Sequence, residues 1–258
     1  MQVHIHDGQD VCCWINLETT ILPAFPQLFT ISDWRTFIKE AISTGVYTRS
    51  EIALRLAAKE ARVFSPTVAY YKAREKLRRH SFVVLEGPPE MGKTTIARLI
   101  TVAQVALGWE AIECRTPKEL LDTISPDRLQ IFLADDFFGR SEYEASRLGP
   151  WQAELPYILE RLDHDHWLVL TSRAHILNMA KHTLDIAGQN GRFPDLSEVV
   201  VNAGDLSVIE KGKILYRHVK AAGLEEGIRD YLREHAEAIV ENPHFTPLRI
   251  KRFVESLK

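Results

Sequence analysis

"GPPEMGKTT" occupies Gly87–Thr95 and matches the pattern G-x-x-x-x-G-K-[ST] without a mismatch. That pattern means something only between a buried strand and a helix, and the flanking residues supply both. "SFVVLEG" (Ser81–Gly87) is a short, almost wholly apolar run, as expected of a strand buried on both faces. "KTTIARLITVAQVALG" reads as a helix ending at Gly108. Strand, glycine loop and helix in this order predict a phosphate site. Gly87 and Gly92 let the backbone turn several N–H groups toward phosphate oxygens, and the helix adds its positive end. Lys93 is placed to reach the β- and γ-phosphates and Thr94 to offer its hydroxyl to Mg²⁺. Pro88, Pro89, Glu90, Met91 and Thr95 complete the predicted cradle.

Two later stretches repeat the logic of an apolar run that ends in polar residues. "QIFLADDFFG" (Gln130–Gly139) delivers Asp135 and Asp136 to the end of a predicted strand. Phosphoryl-transfer sites need an acid there for Mg²⁺ and a group that orients or deprotonates the attacking water. Asp135 is read as the metal acid and Asp136 as the catalytic one; the alternative is that the pair only opens a turn. "WLVLTSR" (Trp167–Arg173) brings Thr171, Ser172 and Arg173 to the same sheet edge, where open α/β sheets bind ligands. The first two are read as γ-phosphate contacts and Arg173 as a charge-stabilising catalytic group; the alternative is an ion pair and a helix cap.

Around these motifs, "EAIEC", "EVVVN" and intervening helical segments give strands alternating with helices, hence a parallel sheet covered on both sides. "SPTVAYYKAREKLRRH" predicts a helix ahead of the first strand, with Pro66 in its first turn. From Asp205 the strands stop and three helices follow. The expected division is an N-terminal mixed or helical extension over 1–63, a P-loop core over 64–203 and a helical lid over 204–258. In the last helix, "PHFTPLRIKRF" (Pro243–Phe253), Thr246 caps, Leu248, Ile250 and Phe253 are read as buried, and Arg249 and Arg252 project. Arg249 is read as a nucleotide contact that couples the γ-phosphate to the lid; the alternative is a solvated basic face.

Composition narrows the class. With 258 residues, 45% of them hydrophobic, the chain can bury a sizeable core. Its formal charge is −3, from 32 basic and 35 acidic residues, without the basic excess expected of a nucleic-acid binder. Cys12, Cys13 and Cys114 show no metal-type spacing and suit a reducing, cytoplasmic setting. The N-terminus lacks the pattern of a signal peptide, and no stretch is apolar for long enough to span a bilayer. His4, His6, His164 and His166 are read as ordinary surface residues. There is no Asn-Lys-x-Asp of a GTPase and no Ser-Gly-Gly signature of a transporter ATPase.

Together, "GPPEMGKTT", "IFLADDFFG" and "LVLTSR" resemble the nucleotide-binding core of the STAND class of AAA+-related signal-transduction ATPases, most closely its bacterial "novel STAND" group. The resemblance covers about 64–254 and implies an ATP- or ADP-binding, Mg²⁺-dependent switch with slow or conditional hydrolysis, in bacterial signalling or in defence against phage or stress. It implies a protein partner or effector, or a homo-oligomer, and it implies that Pro66 and Thr67 in "FSPTVAYYKA" border the base. Glu90 and Met91 depart from the family pattern, which often has Gly and a small apolar residue there. Full-length members are usually much longer, so a separable core, a fragment and a small regulatory ATPase all fit. The competing readings are an AAA+ ATPase that loads or remodels a DNA-bound partner, and a small-molecule P-loop kinase.

Overall fold

The computed structural model describes residues 60–105, 107–137, 145–174, 177 and 196–258. The N-terminal extension up to residue 59 and the helix expected just after Arg173 lie largely outside them.

Five strands form one parallel sheet: β1 (Phe82–Glu86), β2 (Glu110–Glu113), β3 (Gln130–Ala134), β4 (His166–Thr171) and β5 (Val200–Asn202). Their order across the sheet is β2-β3-β4-β1-β5. β1 therefore lies between β4 and β5, with Leu85 opposite Thr171 and Glu86 opposite Asn202. β3 runs beside β4 with Ala134 opposite Leu170. The three inner strands read as apolar runs because both of their faces are covered. Phe82, Val84, Phe132, Ala134, Leu168 and Leu170 point to one face and pack with Trp151, Leu155 and Ile158. Those last three belong to a helix, Ala145–Arg161, that carries Pro150 and Pro156 inside it. Val83, Leu85, Ile131, Leu133 and Val169 alternate with the first set and are equally buried.

In chain order, the described helices ahead of β5 are α1 (Val68–His80), α2 (Lys93–Val105), α3 (Pro117–Thr123), α4 (Ala145–Arg161) and the short α5 (Leu196–Val199). The start of α1 departs from the sequence reading. Thr67 is the cap, its hydroxyl accepting from the Tyr70 N–H, and Pro66 precedes the helix instead of lying in its first turn.

After β5 come α6 (Val208–Ala222), α7 (Glu226–Glu234), α8 (Ala236–Glu241) and α9 (Pro247–Glu255). The second of the three expected helices is interrupted at His235. There the imidazole Nδ1 lies 2.9 Å from the carbonyl of Tyr231, one turn back, and competes for a helical acceptor. Ser207 and Glu210 form a capping box at the start of α6, and Gly223 ends that helix at φ +64. Ile214, Leu215, Leu232, Val240, Phe245, Ile250 and Val254 make a second apolar cluster. Phe253, expected to be buried, is 38% exposed, because Ile250 and Val254 take the inward face of α9.

His166 departs from its ordinary surface reading as well. It is buried at the start of β4, with Nδ1 2.8 Å from an Asp163 carboxylate oxygen and Nε2 2.9 Å from the Ser125 carbonyl. Both neighbours are acceptors, an arrangement that favours the doubly protonated ring. Burial opposes that charge, but the Ser125 carbonyl and the Asp163 carboxylate outweigh it and hold His166 above its ordinary titration range. A group raised on folding stabilises fully below its unfolded value, and that stability is lost as pH rises through the folded one. His166 is therefore expected to lower the melting temperature as pH is raised from about 6 to about 9, against the opposite contributions of His80 and His218, which burial holds below their ordinary range, and His166→Asn is expected to remove its share. Scanning fluorimetry across that range checks both; equal slopes would refute the assignment.

Candidate nucleotide site

The carboxyl ends of β1, β3, β4 and β5 converge on the glycine loop. Gly87 and Gly92 take φ +147 and +86, backbone that favours glycine. At Gly87 the need is also steric, since a Cβ there would meet the Gly204 nitrogen at 3.1 Å. Gly204, just beyond β5, is more constrained: a Cβ would lie 2.7 Å from Pro88 Cδ. Asn202 fixes this approach by accepting the Gly204 N–H at 2.7 Å. The sequence reading used this point, between residues 203 and 204, only as the boundary of core and lid. The signal available was a glycine directly after a strand, which marks close backbone approach.

Lys93 begins α2 and is 7% exposed. Its ammonium donates to the carbonyls of Gly87 (3.0 Å) and Pro88 (2.8 Å), which ties it across its own loop. Burial depresses its pKa, Asp136 and Asp135 oppose that, and Arg173 reinforces it. Those four groups therefore share one electrostatic neighbourhood. Thr94 donates its hydroxyl proton to Asp135 Oδ1 at 2.8 Å. Thr94 and Thr95 are half-buried, Pro88 and Pro89 exposed, and Met91 buried.

Thr171 departs from its reading as a phosphate contact. It is fully buried, donates to Asp135 Oδ1 at 2.6 Å and accepts the Asp136 N–H at 2.8 Å. Its single proton is thus used on Asp135, and it has none to offer an outside oxygen. Ser172 is also buried, with its N–H on the Leu85 carbonyl and its hydroxyl on the Arg173 carbonyl. The two residues tie β4 to its neighbours at the level of the acids. Asp136 has φ +48, a left-handed conformation that Asp tolerates better than most residues, and the bond to Thr171 holds it there.

Arg249 is not directed into the loop's interior. Its Nε lies 3.6 Å from Glu90 Oε2, and its Nη1 donates to the His244 carbonyl at 3.1 Å. The Thr67 hydroxyl is occupied as a helix cap, while the adjacent Val68 N–H donates to Glu210 Oε1 at 2.7 Å. Buried Glu210 is kept acidic against its burial by the Ser207 hydroxyl and by the Val68 and Ser207 amides.

The donor set of Thr94 and Asp135, a hydroxyl beside a carboxylate, suits a hard cation that keeps several waters and takes other ligands from phosphate. Among the described residues no three His, Cys, Asp or Glu side chains gather as metal ligands. None of the described helices is long and apolar enough to cross a membrane.

A family model for novel STAND NTPase 3 matches residues 64–221, more than half of the chain. The chain belongs to this family. The match takes in every strand of the STAND NTPase sheet, the glycine loop, Asp135-Asp136 and Thr171-Ser172-Arg173, and it ends inside α6. Arg249 and Arg252 lie beyond it, so the resemblance read from sequence over 64–254 is shown for the shorter span. None of the curated proteins matches this STAND NTPase. Among solved structures it is similar to the FIGL-1 AAA domain in complex with ADP, with 14% identity and a TM-score of 0.45 over 82% of this chain and 70% of that one. It is also similar to C. elegans PCH-2, with 10% identity and a TM-score of 0.41 over 83% of this chain and 64% of that one.

Proposed function

We propose that this STAND NTPase binds ATP with Mg²⁺ and acts as a switch whose hydrolysis is slow or conditional. The observation that carries the reading is the line of hydrogen bonds from Thr94 through Asp135 to Thr171 beside buried Lys93, at the loop end of the sheet. In this reading the loop amides and Lys93 hold the β- and γ-phosphates, and Thr94 and Asp135 hold the Mg²⁺. The ion supplies charge neutralisation at the phosphates when bound. Asp136 orients the attacking water or takes its proton, and Arg173 stabilises the charge that develops. Thr171 and Ser172 act one step back, by fixing the acids. Pro66 and the backbone around Thr67 border the base, next to exposed Val68.

The division into a core over 64–203 and a lid over 204–258 is part of this proposal, supported by the separate apolar cluster of the last helices. In this reading the chain works in the bacterial cytoplasm, in signalling or in phage or stress defence, with a protein effector or as a homo-oligomer. Calorimetry with Mg²⁺–ATP and Mg²⁺–GTP tests the nucleotide reading. Micromolar ATP binding is expected, with GTP weaker by about tenfold or more. Failure to bind either would sink the proposal.

A further inference from the structure

Glu90 is costly where it stands. Its φ is +67, backbone that a non-glycine residue adopts only against strain. Its charge is also the wrong one, because a loop of inward N–H groups gathers anions and a carboxylate in that loop repels them. Strain at a ligand loop persists only where other contacts hold it, and here they come from the far end of the chain. The Thr246 hydroxyl, 156 residues away, donates to Glu90 Oε2 at 3.2 Å. Arg252 Nη1 lies 3.5 Å from Oε1 and Arg249 Nε 3.6 Å from Oε2. Thr246 also caps α9 by accepting the Arg249 N–H, so one helix and its cap present the hydroxyl and the two guanidinium groups together. A hydroxyl and two guanidiniums are also the partners that a phosphate selects.

We propose that Glu90 is a latch that holds α9 against the phosphate loop, and that a nucleoside triphosphate in the loop opens it by competing for Arg249 and Arg252. This rests on the switch reading above and adds the element that yields. The arginine side chains are 56% and 67% exposed and that of Glu90 is 28% exposed, so each ion pair is weak. Weakness suits a latch, because an added phosphate charge nearby is then enough to shift it. The contacts together bias α9 toward the loop by about tenfold. A diphosphate, with less charge to offer, competes less.

Hydrogen exchange of the α9 amides tests the latch. Glu90→Gln removes the charge with little change of shape. Glu90→Gly removes the side chain at a φ that glycine adopts freely, so it keeps the loop folded. Both are expected to speed α9 exchange by about tenfold without nucleotide. Mg²⁺–ATP is expected to bring the wild type to the same level and Mg²⁺–ADP to fall short of it. Glu90→Arg and Arg252→Glu, each loosening alone, are expected to restore slow exchange together. Unchanged α9 exchange in both the Gln and the Gly variant overturns the latch, whatever the nucleotide does. Loosening in both, with no response of the wild type to ATP that calorimetry shows it binds, overturns opening by competition. Absence of calorimetric ATP binding overturns the switch reading itself.

Discussion

Lys93→Ala is expected to lower ATP affinity by about a hundredfold or more, to the limit of calorimetric detection. The ammonium is almost completely buried and already fixed by two carbonyls of its own loop. A triphosphate would meet a charge that costs little further ordering to use. Hydrogen bonds to charged groups contribute roughly 1.5–3 kcal/mol each, and two lost together reach the hundredfold range. The same substitution unties the Gly87 and Pro88 carbonyls, so a small loss of melting temperature should accompany it. Lys93→Arg should not rescue binding, because a wide planar fork replaces a compact charge in a buried position. Affinity unchanged in the alanine variant would remove the loop from nucleotide binding.

Asp136→Asn is expected to keep ATP binding and reduce turnover by about a hundredfold or more. The substitution is unusually clean here. Asp136 stands at φ +48, which asparagine also tolerates, and its N–H reaches Thr171 whatever the side chain. What changes is charge. Asp136 supports the protonated form of Lys93, so its neutralisation pushes the lysine pKa further down while relieving repulsion of the phosphates. Asp136→Ala should lose turnover to a similar degree and also lose stability, by about 1 kcal/mol, because alanine is disfavoured at that φ. Phosphate release measured beside binding separates the two effects. Wild-type turnover in Asp136→Asn would assign the acid's role elsewhere.

Much of the fold was legible because its elements announce themselves locally. β1, β3 and β4 are buried on both faces and so appear as apolar runs, and the cap at Thr246 obeys a rule that spans only four residues. The order of the strands was not legible, since pairing joins residues far apart in the chain. That order decides the fate of Thr171. With β4 between β1 and β3, the end of β4 lies directly between the loop and the acids, and a threonine there is absorbed into the fold. Glu90 shows the same limit. Its presence in the loop contradicted the local pattern, and its partners were more than half the chain away. The interruption at His235 arises from one imidazole bonding back to a carbonyl, which periodicity does not register.

The contact between Gly204 and Pro88 has a mechanical consequence. The chain passes from the sheet to its last four helices at a point where its backbone comes so close to the phosphate loop that a Cβ at Gly204 would lie 2.7 Å from Pro88 Cδ. Pro88 is itself a rigid ring. A rotation of those helices about residue 204 would thus be geared to the loop's first proline, and strain in the loop would be felt at the same fulcrum. Enlarging Gly204 would not simply crowd a surface turn; it would wedge the cradle at its mouth.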